Sequence, residues 1–78
     1  MKKQKATYSF NEDMGGFNFP EYLTITAPYN PKFVEELKQA IPPEDRVWIK
    51  DSKVWVVNAI YAFEVEDLLQ EYFEVEEI

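Results

Sequence analysis

The stretch Arg46-Val47-Trp48-Ile49-Lys50-Asp51-Ser52-Lys53-Val54-Trp55-Val56-Val57 decides the fold. Both of its arms are rich in β-branched and aromatic residues, and Asp51-Ser52 between them suits a tight turn, so it reads as an antiparallel hairpin. A turn centred on Asp51-Ser52 sets Lys50 across from Lys53, Ile49 across from Val54, Trp48 across from Trp55 and Val47 across from Val56. Period two then separates two faces. Val47, Ile49, Val54 and Val56 form an apolar face expected to pack on helices. Arg46, Trp48, Lys50, Lys53 and Trp55 form the opposite face.

Working back from the hairpin, Pro28-Tyr29-Asn30-Pro31 introduces a helix, since Asn30 can cap it and Pro31 suits a first turn where a missing N–H costs nothing. Phe33, Val34, Leu37, Ala40 and Ile41 recur at helical spacing until Pro42-Pro43 ends the run. Residues 22–27 alternate as a strand, with Leu23, Ile25 and Ala27 on one side. Before Pro20-Glu21, Tyr8 and Phe10 and then Phe17 and Phe19 alternate around Gly15-Gly16, which reads as a hairpin of its own. Beyond the second hairpin, residues 63–73 set Val65, Leu68, Leu69 and Tyr72 against Glu64, Glu66, Asp67 and Glu71, an amphipathic helix. The expected order is β-β-β-α-β-β-α. It makes a small α+β domain, a mainly antiparallel sheet with two helices on one face. Residues 1–78 are expected to form one domain, with an N-terminal hairpin over 1–20, a β-α-β-β-α core over 21–73 and an acidic tail over 74–78, the last residues either fraying or adding a short strand.

Composition removes most chemistry. The 78 residues hold apolar material for a single core, and two Trp, five Tyr and six Phe argue for order. There is no Cys and no His, so disulfides, thiol nucleophiles, Cys-based zinc sites and the usual general base are all missing. Ser9 and Ser52 have no histidine to activate them. Glu12-Asp13 and Glu44-Asp45 could each help hold a divalent cation, but acids beside turns read first as solvated. No catalytic centre, metal site or cofactor is expected. No apolar run approaches the roughly 20 residues of a membrane span, and no signal-peptide core follows Met1 to Lys5, so a soluble cytoplasmic protein without membrane partners is expected.

The net charge of −7 is unevenly placed. Every Lys and Arg lies at or before Lys53, whereas Glu64, Glu66, Asp67, Glu71, Glu74, Glu76 and Glu77 follow it unmatched. Two readings of that acidic end stand side by side: a solvated face that keeps a small protein soluble, or a surface that docks on a basic partner or mimics nucleic-acid phosphates. The tryptophan face of the hairpin also has two readings. Indoles bordered by cations suit single-stranded nucleic acid, since bases stack on the rings while Lys or Arg meets phosphate. The same indoles could equally be covered as core by the first hairpin or by Phe17, Phe19 and Tyr22.

Residues 23–73 resemble the HARP domain, the small accessory module of HepA-related annealing helicases, and similar modules of phage recombination helicases. The resemblance is carried by a strand, then Pro28-Tyr29-Asn30-Pro31, then Phe33-Val34-Glu35-Glu36-Leu37-Lys38, and, after Ile41-Pro42, by Arg46, Trp48, Lys53 and Trp55. Val47 and Ile49 depart from the pattern, standing where that family commonly has a basic residue and Asp. The resemblance implies a stand-alone phage or bacterial module that binds single-stranded or forked DNA beside a helicase or other replication or recombination enzyme. Arg46, Lys50 and Lys53 would serve as its DNA contacts. The alternative is a protein-interaction or nucleic-acid-mimicking inhibitor that sets Glu64, Glu66, Asp67, Glu71 and Glu74 on a basic host protein.

Overall fold

The computed structural model describes residues 3–12 and 19–78. The chain runs through β1 (Lys5–Glu12), β2 (Glu21–Thr26), α1 (Pro31–Ala40), β3 (Arg46–Ile49), β4 (Val54–Asn58), α2 (Ala62–Tyr72) and β5 (Glu74–Glu77). Short 3-10 turns at Pro43–Asp45 and Ala59–Tyr61 lead into β3 and α2. One five-stranded sheet results, in the order β3-β4-β2-β1-β5, antiparallel except where β5 joins β1. This is the expected α+β class; among the described residues two strands precede the first helix, where three are expected, and a short strand follows the second. No helix among the described residues is long and apolar enough to cross a membrane.

Pro20 has no N–H to give a ladder, so the strand that pairs with β1 starts just beyond it, at Glu21. β1 therefore pairs with β2 itself, in a register running from Thr7 opposite Thr26 to Glu12 opposite Glu21. Phe19, expected in a strand of a separate hairpin over 1–20, is buried but lies outside any strand. Phe17 and Gly15-Gly16 fall outside the described residues.

α1 forms where its cap and apolar stripe put it, and α2 where its stripe does. The Asn30 side chain accepts hydrogen bonds from the N–H groups of Lys32 and Phe33, at 3.0 and 3.2 Å, satisfying two donors that a helix start leaves open. Phe33 and Leu37, one turn apart, are buried, and so are Val65 and Leu69 on α2. These four close over Ala6, Tyr8, Leu23, Ile25 and Val57 of the sheet, with Ile41 and Phe73 completing the core. Leu68, on the same expected stripe as Leu69, is only half-buried at its edge.

The pairing of the second hairpin is as read from the sequence: Val47 opposite Val56, Trp48 opposite Trp55, Ile49 opposite Val54. Its orientation is the reverse. Ile25 stands opposite Trp55 and Leu23 opposite Val57, and all four lie on the side that the helices cover. The tryptophans thus face α1, and Val47, Ile49, Val54 and Val56 occupy the other side of the sheet. Val56 is buried there and the other three are half-buried, apart from the core beneath the helices. Phase with β2 decides the matter, because a strand's alternation fixes which residues share a face and its neighbour fixes which face is inward.

The acidic tail over 74–78 supplies β5 through Glu74–Glu77, the short strand that was one of its two expected forms. Val75 sits beside Ala6 in the ladder and packs half-buried against the core, while Glu74, Glu76 and Glu77 are exposed. Carboxylates along an outer strand discourage a further strand from adding to it.

Candidate nucleic-acid interface

Turning the tryptophans toward α1 builds a cleft. Trp48 and Trp55 contact each other across the hairpin with ring centres 5.1 Å apart and planes tilted by 49°. Trp55 packs against the core, whereas Trp48 keeps 47% of its surface open. The cleft they floor is walled on the helix side by Phe33 and Val34, passes Tyr29 at its mouth, and encloses about 400 Å³. Lys38 from α1 and Lys53 from the hairpin loop complete its lining. An apolar floor with cations at the margin can stack a planar ring and hold an anion beside it.

The loop geometry places Lys53. Ladder pairing stops at Ile49 and Val54, so the connection is four residues, Lys50 to Lys53, and not the two-residue turn read from Asp51-Ser52. Lys53 takes a left-handed conformation with φ of 56°. Lys50 and Lys53 consequently do not oppose each other in the ladder, which removes the like-charge cost expected of that arrangement.

Of the residues expected to contact nucleic acid, Trp48, Lys53 and Trp55 line the cleft. Arg46 and Lys50 do not. Arg46 is half-buried, and its Nε donates to the carbonyl oxygen of Ile41 at 3.0 Å, tying the start of β3 to the end of α1. A cation there meets the negative end of the helix, a structural task. Lys50 is exposed in the loop. Tyr29, Val34 and Lys38, which the sequence places in the helix and its lead-in, were not read from it as site residues. Val34 and Lys38 are four residues apart and so share one side of α1, and that spacing is the signal that would have joined them.

The acidic residues divide among three surfaces. Glu64, Asp67 and Glu71 meet Glu36 of α1 along a groove of about 500 Å³ between the helices, with Leu68 at its base. Glu66 points the other way and accepts from the Tyr8 hydroxyl at 2.8 Å. Burial, then the adjacent Glu66, pushes the Tyr8 phenol up to about 12, since the phenolate would be both desolvated and repelled. Tyr72 donates likewise to Glu36, and that bond, with burial behind it, lifts its phenol to about 12. Glu74 lies beside Lys5 in the β1–β5 ladder. The carboxylates after Lys53 are therefore not all unmatched, because β5 returns to the basic beginning of β1.

No group of three or more His, Cys, Asp or Glu among the described residues is placed to hold a metal ion. Asp45, in one of the two acidic pairs, accepts instead from the Asn58 amide at 3.1 Å. No family model, curated protein or solved structure matches the chain.

Proposed function

We propose that the chain is a non-catalytic, cytoplasmic module that binds single-stranded or forked nucleic acid in the Trp48–Trp55 cleft, beside a helicase or another replication or recombination enzyme. The carrying observation is an indole pair at the floor of an open cleft lined by Lys38 and Lys53. A domain this small gains by burying Trp completely, and a half-open Trp48 beside lysines is a surface with a use. A base stacked on an indole contributes about 1–3 kcal/mol. Lys38, Lys53 and the exposed Lys50 then meet phosphate, which fixes the strand without reading its sequence. The resemblance to HARP domains supports the same assignment through Trp48, Lys53 and Trp55.

Fluorescence titration with single-stranded, forked and duplex DNA at low salt tests the reading. Indole emission is expected to change with the first two, at micromolar affinity or weaker, because the chain's charge of −7 opposes approach. Three lysines at about −0.7 per phosphate give a slope of log affinity on log salt near −2. Trp48→Ala should lose the stacking share, and emission unmoved by saturating single strand would remove the reading. The acidic groove between α1 and α2 would then carry the function, as a docking surface for a basic protein or a mimic of phosphates. Its support is the convergence of Glu36, Glu64, Asp67 and Glu71 from two helices.

A further inference from the structure

The shoulder between β4 and α2 is apolar and open to solvent. Ile60, in the 3-10 turn, and Phe63, in the first turn of α2, are 71% and 80% exposed and lie three residues apart where the turn runs into the helix. Asn58 holds this shoulder: its side-chain oxygen accepts from the Ile60 N–H at 3.3 Å while its amide donates to Asp45. Carboxylates surround it. Glu64 adjoins Phe63, Asp67 lies one turn further along α2, and Asp45 is tied in through Asn58. The Tyr61 phenol, between the two apolar residues in sequence, is raised by burial and then by Asp45, with Glu44 and Glu64 adding less. No Lys or Arg follows Lys53 to offset Glu64 and Asp67, and Arg46, next to Asp45 in sequence, turns its Nε to the Ile41 carbonyl.

The complement of this surface is present in the same molecule. The tryptophan cleft is apolar within and lined by Lys38 and Lys53, and its volume of about 400 Å³ lies in the range of sites that enclose a ligand group. An exposed apolar pair flanked by acids and an apolar cleft edged by lysines are complementary in hydrophobicity and in charge. We propose that the Ile60–Phe63 shoulder of one copy docks in the Trp48–Trp55 cleft of a second copy, so that the protein associates head to tail.

The two surfaces differ, so the contact is heterologous. Every assembled copy leaves a free shoulder at one end of the assembly and a free cleft at the other, and growth continues unless the rotation closes a ring. Two apolar anchors and a charged rim make an interface at the small end of the usual range, and the association is weak. It uses the cleft assigned to nucleic acid without depending on that assignment. Where both hold, strand and second copy compete for one place.

Sedimentation equilibrium of the full chain, carried up to about 1 mM, tests the proposal. Average mass is expected to rise with concentration. Phe63→Glu, with Ile60→Glu as a second shoulder variant, and Lys53→Glu at the cleft should each hold the chain as a monomer. All three residues are exposed, and unchanged circular dichroism will show the fold intact. Mixing Phe63→Glu with Lys53→Glu should restore association and stop at a dimer, because each variant keeps the half that the other lacks. A wild-type chain monomeric throughout, variants that associate like wild type, or a mixture that stays monomeric would each overturn it. A monomer whose indoles still respond to single-stranded DNA refutes the self-docking alone, and association without that response refutes the nucleic-acid reading alone.

Discussion

Replacing Lys53 separates what the hairpin loop costs from what its cation does. Its φ of 56° lies where a Cβ crowds the following carbonyl, at about 1–2 kcal/mol for a residue other than glycine. Glycine would relieve that crowding but give back about 0.5–1 kcal/mol through the greater freedom of the unfolded chain. Lys53→Gly is therefore expected to stabilise the domain by about 0.5–1 kcal/mol. At this size, that is a rise in melting temperature of about 2–8 °C. Lys53→Ala loses the same charge and keeps the same strained backbone, so it should melt close to wild type. Both should lower the salt slope for single-stranded DNA by about 0.7, one phosphate contact. Thermal melts and fluorescence titrations of the pair give both quantities. Lys53→Gly melting at or below Lys53→Ala would refute the backbone argument, and an unchanged slope in both would refute the phosphate contact. Stabilisation accompanied by weaker binding would mean that the loop tolerates strain to keep a cation beside the cleft.

Leu37→Ala and Leu69→Ala each remove a side chain with no exposed surface, and each should cost about 2–5 kcal/mol in chemical denaturation, a large share of a small domain's stability. Two tyrosines make stability depend on pH on the alkaline side. Tyr8 and Tyr72 titrate near 12 in the folded chain against an ordinary 10, so the fold holds their protons more tightly than the unfolded chain does. Their contribution is full below pH 10 and is lost as pH rises toward 12. Denaturation followed across that window should show the decline, and Tyr8→Phe with Tyr72→Phe should flatten it.

The hairpin pairing was legible because Asp51-Ser52 breaks two alternating arms, and a loop of four residues instead of two preserves the same opposing pairs. The inward face was not. Large apolar residues occupy both sides of these strands, valine and isoleucine on one and tryptophan on the other, so amphipathicity gives no direction. Val57 held the clue, being in phase with Trp55 and adjacent to Leu23 of the central strand. α1 was readable from Asn30 and Pro31, whose chemistry is local. The cleft was not readable as a whole, because Tyr29 and Lys38 reach the tryptophans only through the docking of α1 on the sheet. The division of the acids was equally hidden. It depends on β5 returning to β1, a pairing for which Glu-Val-Glu-Glu offers little strand propensity of its own.

That return has a consequence for the order of events during synthesis. β1 gains β2 as a neighbour almost at once, but its other neighbour joins Lys5 to Glu74 across nearly the whole described chain. The antiparallel hairpins close short loops and can form as they emerge, whereas the parallel pair must wait for α2 to dock and carry the chain back. Translation proceeds from the amino end, so the outer edge of β1 stands unpaired on the ribosome until the last strand has been made. Neighbouring nascent chains on one message would present the same open edge to one another, and the glutamates of β5 cover it only when that strand arrives.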